Sequence, residues 1–238
     1  MGLIGGGRMN ELVFLSDGSV NASLYTTGDV IAQYAGMTHR AINDNIETYK
    51  KDLQDFGVLT SETSKPPKGS KGGRPRKIWH LNMLQATTLI ALLGNSRPIV
   101  FLKKALVKQF YEMREALINR RVAFQFGKQS SKGLNDAVAN SDVFKDDSHA
   151  YSNLNRLMYK QALGMNTAQI KKLRGIPDGK AITEYLTADE SAALSKVKER
   201  TMAFVGAGMT YSEIKAVLTR QGIIYQIQLN KPQPAVTA

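Results

Sequence analysis

Apolar positions recur along this chain with a short period at first and a helical one afterwards. Between Glu11 and Tyr25 short apolar pairs flank Ser16-Asp17-Gly18-Ser19, a turn composition that predicts a hairpin of two short strands. Thr27 is an N-cap for a helix over 28–35, with Val30, Ile31 and Tyr34 at helical spacing and Gly36 ending it. Thr38 caps a second helix, in which Ile42, Ile46, Tyr49, Leu53 and Phe56 follow at spacings of four, three, four and three, up to Gly57. That stripe predicts one continuous helix from Thr38 to Phe56. Two strands are expected over 58–60 and 78–81, then an apolar helix over 84–93 and a break at Gly94-Asn95-Ser96-Arg97-Pro98. A long helix over 99–126 follows, with a seam through Val100, Lys103, Leu106, Phe110, Met113 and Leu117.

Residues 128–148 are polar and read as a linker. Beyond them the pattern is helical throughout, over 151–163, 167–174, 178–185, 187–205 and 210–221. Thr187-Ala188-Asp189-Glu190 and Thr210-Tyr211-Ser212-Glu213 carry the capping-box signature, hydroxyl and carboxylate each satisfying a free amide of the other's residue. The fold class expected is α+β, mostly α. A winged helix-turn-helix domain spans 9–127, a linker 128–148, a small all-α domain 149–229 and a disordered tail 230–238. Residues 1–8, MGLIGGGR, read as an expression scar, with Met9 a plausible start.

Composition narrows the chemistry. The chain has 238 residues, a hydrophobic fraction of 42% and no apolar run of the roughly 18 residues that a membrane-spanning helix needs, so no membrane partner is expected. The absence of cysteine removes disulfides, thiolate metal sites and cysteine nucleophiles, and fits a reducing cytoplasm. His39, His80 and His149 are far apart in sequence and show no metal-ligand spacing. No nucleophile-elbow string and no paired carboxylates outside capped or solvated contexts are present. Neither a catalytic residue, nor a metal, nor a cofactor is expected, and the chain reads as a non-enzyme. The formal net charge of +12 predicts salt-sensitive attraction to a polyanion.

The charge is concentrated. If the apolar stripe faces the core, Thr38, His39, Arg40, Asn43, Asp44 and Glu47 line the exposed start of the second helix, where a recognition helix reaches base edges in the major groove. Arg40 has the donors for guanine and Asn43 the pair of groups for adenine. Lys50 and Lys51 suit phosphate. Any solvent-facing helix is polar, so the adjoining segment matters. In SKPPKGSKGGRPRK, the prolines and glycines forbid helix, and a basic loop between two strands directly after such a helix reads as a wing carrying Lys68, Lys71, Arg74, Arg76 and Lys77. Gly73-Arg74-Pro75-Arg76-Lys77 resembles an AT-hook core, an extended Arg-Pro-Arg suited to a narrow minor groove. The loop lacks the terminal Gly-Lys-Ser/Thr before a helix that a P-loop requires, and Gly206-Ala207-Gly208 lacks both the preceding strand and the third glycine of a dinucleotide fingerprint. Trp79 and Tyr25 read as packing rather than as stacking platforms.

The run from Thr27 to Leu117 resembles the phage Rha-type regulatory protein family. The likeness rests on His39, Arg40 and Asn43, then Leu81, Asn82, Gln85, Leu89, Asn95, Phe101, Lys103, Leu106, Val107, Phe110 and Met113. The second half is similar, more weakly, to the helical C-terminal region of phage regulators and antirepressors. The resemblance implies a temperate-phage or prophage regulator acting on the lysis–lysogeny decision in the bacterial cytoplasm. Two modes stay open. One is sequence-specific binding of double-stranded DNA. The other is capture of a phage repressor protein by the helical second half. A homodimer or higher homo-oligomer is expected, because two reading heads then meet two half-sites.

Overall fold

The computed structural model describes residues 11–64 and 75–227. Two compact units divide them: 11–18 with 22–115, and 19–21 with 116–227. The chain is α+β and mostly helical, with one four-stranded sheet among the described residues.

In the first unit β1 (Phe14–Leu15) and β2 (Leu24–Thr27) form the expected N-terminal hairpin. Then come α1 (Gly28–Ala35), α2 (His39–Thr48) and α3 (Lys50–Gln54). The antiparallel strands β3 (Thr60–Ser64) and β4 (Arg76–Asn82) follow, and β4 pairs with β2 on its other edge, giving the order β1-β2-β4-β3. Helix α4 (Met83–Leu92) and the first part of α5 (Arg97–Ala139) complete the unit. Ile31, Ile42, Ile46, Leu53, Leu81, Leu89, Leu102, Leu106 and Phe110 are fully buried in its core.

Several expectations need correction here. The stripe from Thr38 to Phe56 is two helices, not one. Thr48 Oγ1 donates to Asp44 O at 2.7 Å and Asn45 Nδ2 to Ala41 O at 2.7 Å, side-chain bonds that compete with the backbone ladder and bend helices. Tyr49, at φ −95° and ψ 18°, separates α2 from α3, and Phe56 falls outside both helices, exposed. Strand β3 begins at Thr60 and not Val58, which is solvent-exposed. Its Thr-Ser-Glu-Thr-Ser sequence has no apolar alternation, and five residue pairs with β4 hold it in place. In the long helix, Leu106 and Phe110 are core residues and Met113 packs against them, but Val100 faces outward and Ile99 and Leu102 take its expected place.

The second unit holds the rest of α5 and α6 (Ala150–Leu163), α7 (Thr167–Arg174), a 3-10 turn at Ile182–Tyr185, α8 (Ala188–Gly206) and α9 (Tyr211–Gln221). Thr187 and Thr210 form the capping boxes expected of them. The helix expected over 178–185 shrinks to its last four residues, because Gly179 adopts a left-handed φ of 79° within it. The linker expected over 128–148 is instead helix as far as Ala139. Leu134, Val138 and Phe144 are buried in the second core, and Gly127 and Ser131 sit against α8 through Lys198, whose Nζ donates to Ser131 Oγ at 2.6 Å. Residues 124, 127, 131, 134 and 138 therefore form one helical face. Two of them are small and polar enough to hide that face from an apolar-periodicity reading. The expected boundary at 127–149 moves accordingly to about 115. The expected scar at 1–8 and tail at 230–238 lie outside the described residues, as do Lys68, Lys71 and Arg74.

Candidate nucleic-acid interface

Local rules build the turn between α1 and α2. Thr27 Oγ1 accepts from Val30 N and Thr38 Oγ1 from Ala41 N, so each helix starts on a satisfied amide. Gly36, at φ 66°, ends α1 in the left-handed region that only glycine enters cheaply. At Gly28 a Cβ would lie 3.3 Å from Ile46 Cδ1 and 3.7 Å from Asn43 Oδ1, so a side chain there would crowd the end of Ile46 where α1 meets α2.

One face of α2, carrying His39, Asn43 and Glu47 at four-residue spacing, is turned to β4. His39 Nε2 lies 2.8 Å from Asp29 Oδ1 and 3.1 Å from Lys77 O, and Asn43 Nδ2 donates to the same carbonyl at 3.2 Å. Asp29, in the first turn of α1, also accepts from Arg76 at 2.9 Å. Further along, Glu47 bridges Lys77 and Lys50, each at 3.2 Å. The hydrogen bond from the Lys77 ammonium, helped by Lys50, holds the Glu47 carboxyl below the usual carboxylate range. Lys77 Nζ stands 3.5 Å over the Trp79 ring, and Trp79 itself is buried, as its packing role requires. Tyr25 is half-buried and stacks on His80.

These contacts sort the sequence-derived site into two sets. His39, Asn43, Glu47, Arg76 and Lys77 are joined, with Asp29, into a seam that ties the second helix to the hairpin, while Thr38 is exposed and caps its own helix. For Asn43 to pair with adenine, its bond to the Lys77 carbonyl would have to be released. Arg40 faces outward, its side chain 91% exposed, with a 3.8 Å contact to Asp44, itself open to solvent. Lys51 is exposed on α3. Arg76 and Lys77 are strand residues, not loop residues.

Sequence reasoning missed a second clamp. Asn82 Nδ2 donates to Phe56 O at 2.9 Å and Gln85 Nε2 to Gly57 O at 3.0 Å, while the two also form the capping box of α4. They fasten the end of the helical pair to the exit of β4. Lys103 Nζ donates to Leu93 O and Asn95 Oδ1, closing the α4–α5 turn and accounting for the charge within the apolar seam.

These are residues on which the family likeness rests, and the comparison agrees. Residues 26–115 match the family model of phage regulatory protein Rha. The match runs from the end of β2 into α5, so it takes in α1, α2, the β3–β4 hairpin, both clamps and α4. All of the second unit lies outside the Rha match. No curated protein matches the chain. Among the described residues no helix is long and apolar enough to cross a membrane.

Proposed function

We propose that this chain is a non-catalytic, Rha-type phage regulator that binds double-stranded DNA through a winged helix-turn-helix, working in the cytoplasm of a bacterial host. The observation that carries the reading is the seam from His39 and Asn43 to the Lys77 carbonyl. It holds the second helix of a helix–turn–helix pair against an antiparallel hairpin, while leaving Arg40 projecting from the helix's first turn. In this docking geometry the first turns of the second helix meet base edges and the hairpin follows the backbone. Arg40 is then the base reader, Lys51 a phosphate contact, and Lys50, Arg76 and Lys77 a positive margin that phosphates can engage in place of Glu47 and Asp29. The net charge of +12 supplies the non-specific part of the affinity.

Duplex fragments recovered from a phage-genome pull-down, titrated by fluorescence anisotropy over a salt series, test this. Arg40→Ala is expected to weaken the preferred fragment roughly ten- to a hundredfold relative to an unrelated duplex, the scale of one bidentate base contact. Lys51→Ala is expected to weaken both alike and to reduce the salt slope by about 0.9, one phosphate contact. No duplex binding at low salt would sink the proposal.

A second reading is supported by the separate core of the helical unit, in which Leu134, Leu154, Ile170, Leu186 and Ile214 are fully buried. A unit with its own core can carry its own partner, and we infer a phage repressor protein as that partner in an antirepressor mode. Gel filtration of the intact chain with the repressor of the same phage, in the absence of DNA, tests it. Separate elution at micromolar concentrations would discard it.

A further inference from the structure

Helix α5 carries two apolar faces between Val100 and Glu115. One is the core face of Leu102, Leu106 and Phe110. The other is uncovered. Val100, Val107 and Tyr111 fall within about 40° of one another, some 120° round the helix from the core face, at about 100° per residue. Tyr111 is 60% exposed. Beside them runs a second row, which holds Phe101, 56% exposed, with Lys104, Lys108, Glu112 and Glu115. Its charges are ordered along the helix, cations first and anions last. The contact between Lys108 and Glu112 is 3.7 Å with both side chains open to solvent, so either can exchange partners.

We propose that this face pairs with the same face of a second copy, the two helices running antiparallel about a two-fold axis near residues 109–110. In an antiparallel pair like-numbered flanks face each other in reverse order. Lys104 then meets Glu115 of the other copy and Lys108 meets its Glu112, twice over by symmetry. Arg114, on the opposite edge, comes about 3 Å along the axis from the height of Lys103 of the other copy, whose ammonium is already held by Leu93 O and Asn95 Oδ1. A parallel pair would set each lysine at the height of its own counterpart. The charge order thus selects both the occupant, a second copy, and its direction. Val107 and Tyr111 lie closest to the axis and supply the apolar centre that such an interface needs.

The absence of native cysteine makes the test direct. Light scattering of the intact chain without DNA is expected to give a concentration-dependent dimer, so the outcome is independent of the DNA-binding proposal. Under mild oxidation Tyr111→Cys, near the axis, is expected to form a disulfide-linked dimer. Val100→Cys is expected not to, because antiparallel pairing separates its two copies by about 28 Å along the axis at 1.5 Å per residue. Lys104→Glu/Lys108→Glu and Glu112→Lys/Glu115→Lys are each expected to weaken dimerisation at least tenfold, and an equimolar mixture of the two to restore it. All four positions are on the surface, and circular dichroism checks that each variant is folded. A monomer at every concentration, cross-linking at Val100 as fast as at Tyr111, or charge reversals without effect would overturn the proposal. Capture of a different protein at Tyr111→Cys by a chain that stays monomeric would overturn it as well.

Discussion

In the first unit the charged side chains of α1, α2 and β4 pair at or near the surface, whereas in the second unit charges are taken into the core. Asp29 holds His39 and Arg76, and Glu47 holds Lys50 and Lys77, on side chains that are 23–57% exposed. In the second unit Glu190 is 1% exposed and bound by Arg174, and Lys198 is 3% exposed, its ammonium bound to Ser131 and the Gly127 carbonyl among the described residues. Exposed pairs contribute little stability, because water and salt compete for both ions, and for the same reason they can be traded for a phosphate at little cost. Buried charges cannot be traded. Removing one partner leaves the other desolvated, so such groups restrict how the helices pack. Accessible charges suit a binding face, and desolvated ones suit a scaffold.

Breaking the buried pair should have the largest effect. Glu190→Ala leaves Arg174 without its carboxylate and removes the acceptor of Thr187 N, and is expected to cost about 3–5 kcal/mol in urea unfolding of the helical unit. A loss below 1 kcal/mol would mean that the pair is not desolvated in solution.

Next comes Lys198, whose ammonium is pushed down to about 8 by burial. The folded chain sheds this proton before the unfolded chain does, so stability should rise between about pH 8 and the ordinary value of 10.5, and should be lost again as pH falls through 8. Lys198→Met is expected to flatten that rise and to be more stable than the parent at pH 7 by on the order of 3 kcal/mol, the scale of a shift of this size. Thermal melts of both chains from pH 7 to 10.5 provide the check, and parallel curves would refute the burial of the charge.

Smaller effects belong to the surface seam. His39→Ala or Asn43→Ala should each cost about 1 kcal/mol, one hydrogen bond to the Lys77 carbonyl. The loss is expected in faster amide exchange along β3 and β4, with the helical unit unchanged. Smallest of all, a double-mutant cycle between Glu47 and Lys77 should give a coupling of about 0.2–1 kcal/mol at low salt that fades in 1 M salt. A coupling indifferent to salt would place this pair with the buried charges and erase the contrast between the units.

Much of the architecture is legible in the amino-acid order alone. Thr27, Thr38, Thr187 and Thr210 read as caps, and each accepts an amide three residues on. The boxes at Asn82–Gln85 and Asn166–Gln169 escape a reading keyed to hydroxyl and carboxylate, because both of their partners are side-chain amides. The exposure of Arg40 follows from the apolar stripe on the other side of its helix. The bonding of His39 and Asn43 does not, since the Lys77 carbonyl they share is more than thirty residues away.

Helix ends, turn glycines and the stripe through Ile42, Ile46 and Leu53 are decided within a few residues, where caps, backbone freedom and side-chain period act, and there the chain can be read directly. Strand β3, the last turns of α5 and the division of α2 into bonded and free faces depend on partners distant in sequence. Thr-Ser-Glu-Thr-Ser becomes a strand because β4 offers it a ladder, and Gly127 and Ser131 become half-buried against α8, where Lys198 reaches them. A side chain's chemistry is written in its own residue, but its freedom to act is set by what tertiary packing brings against it.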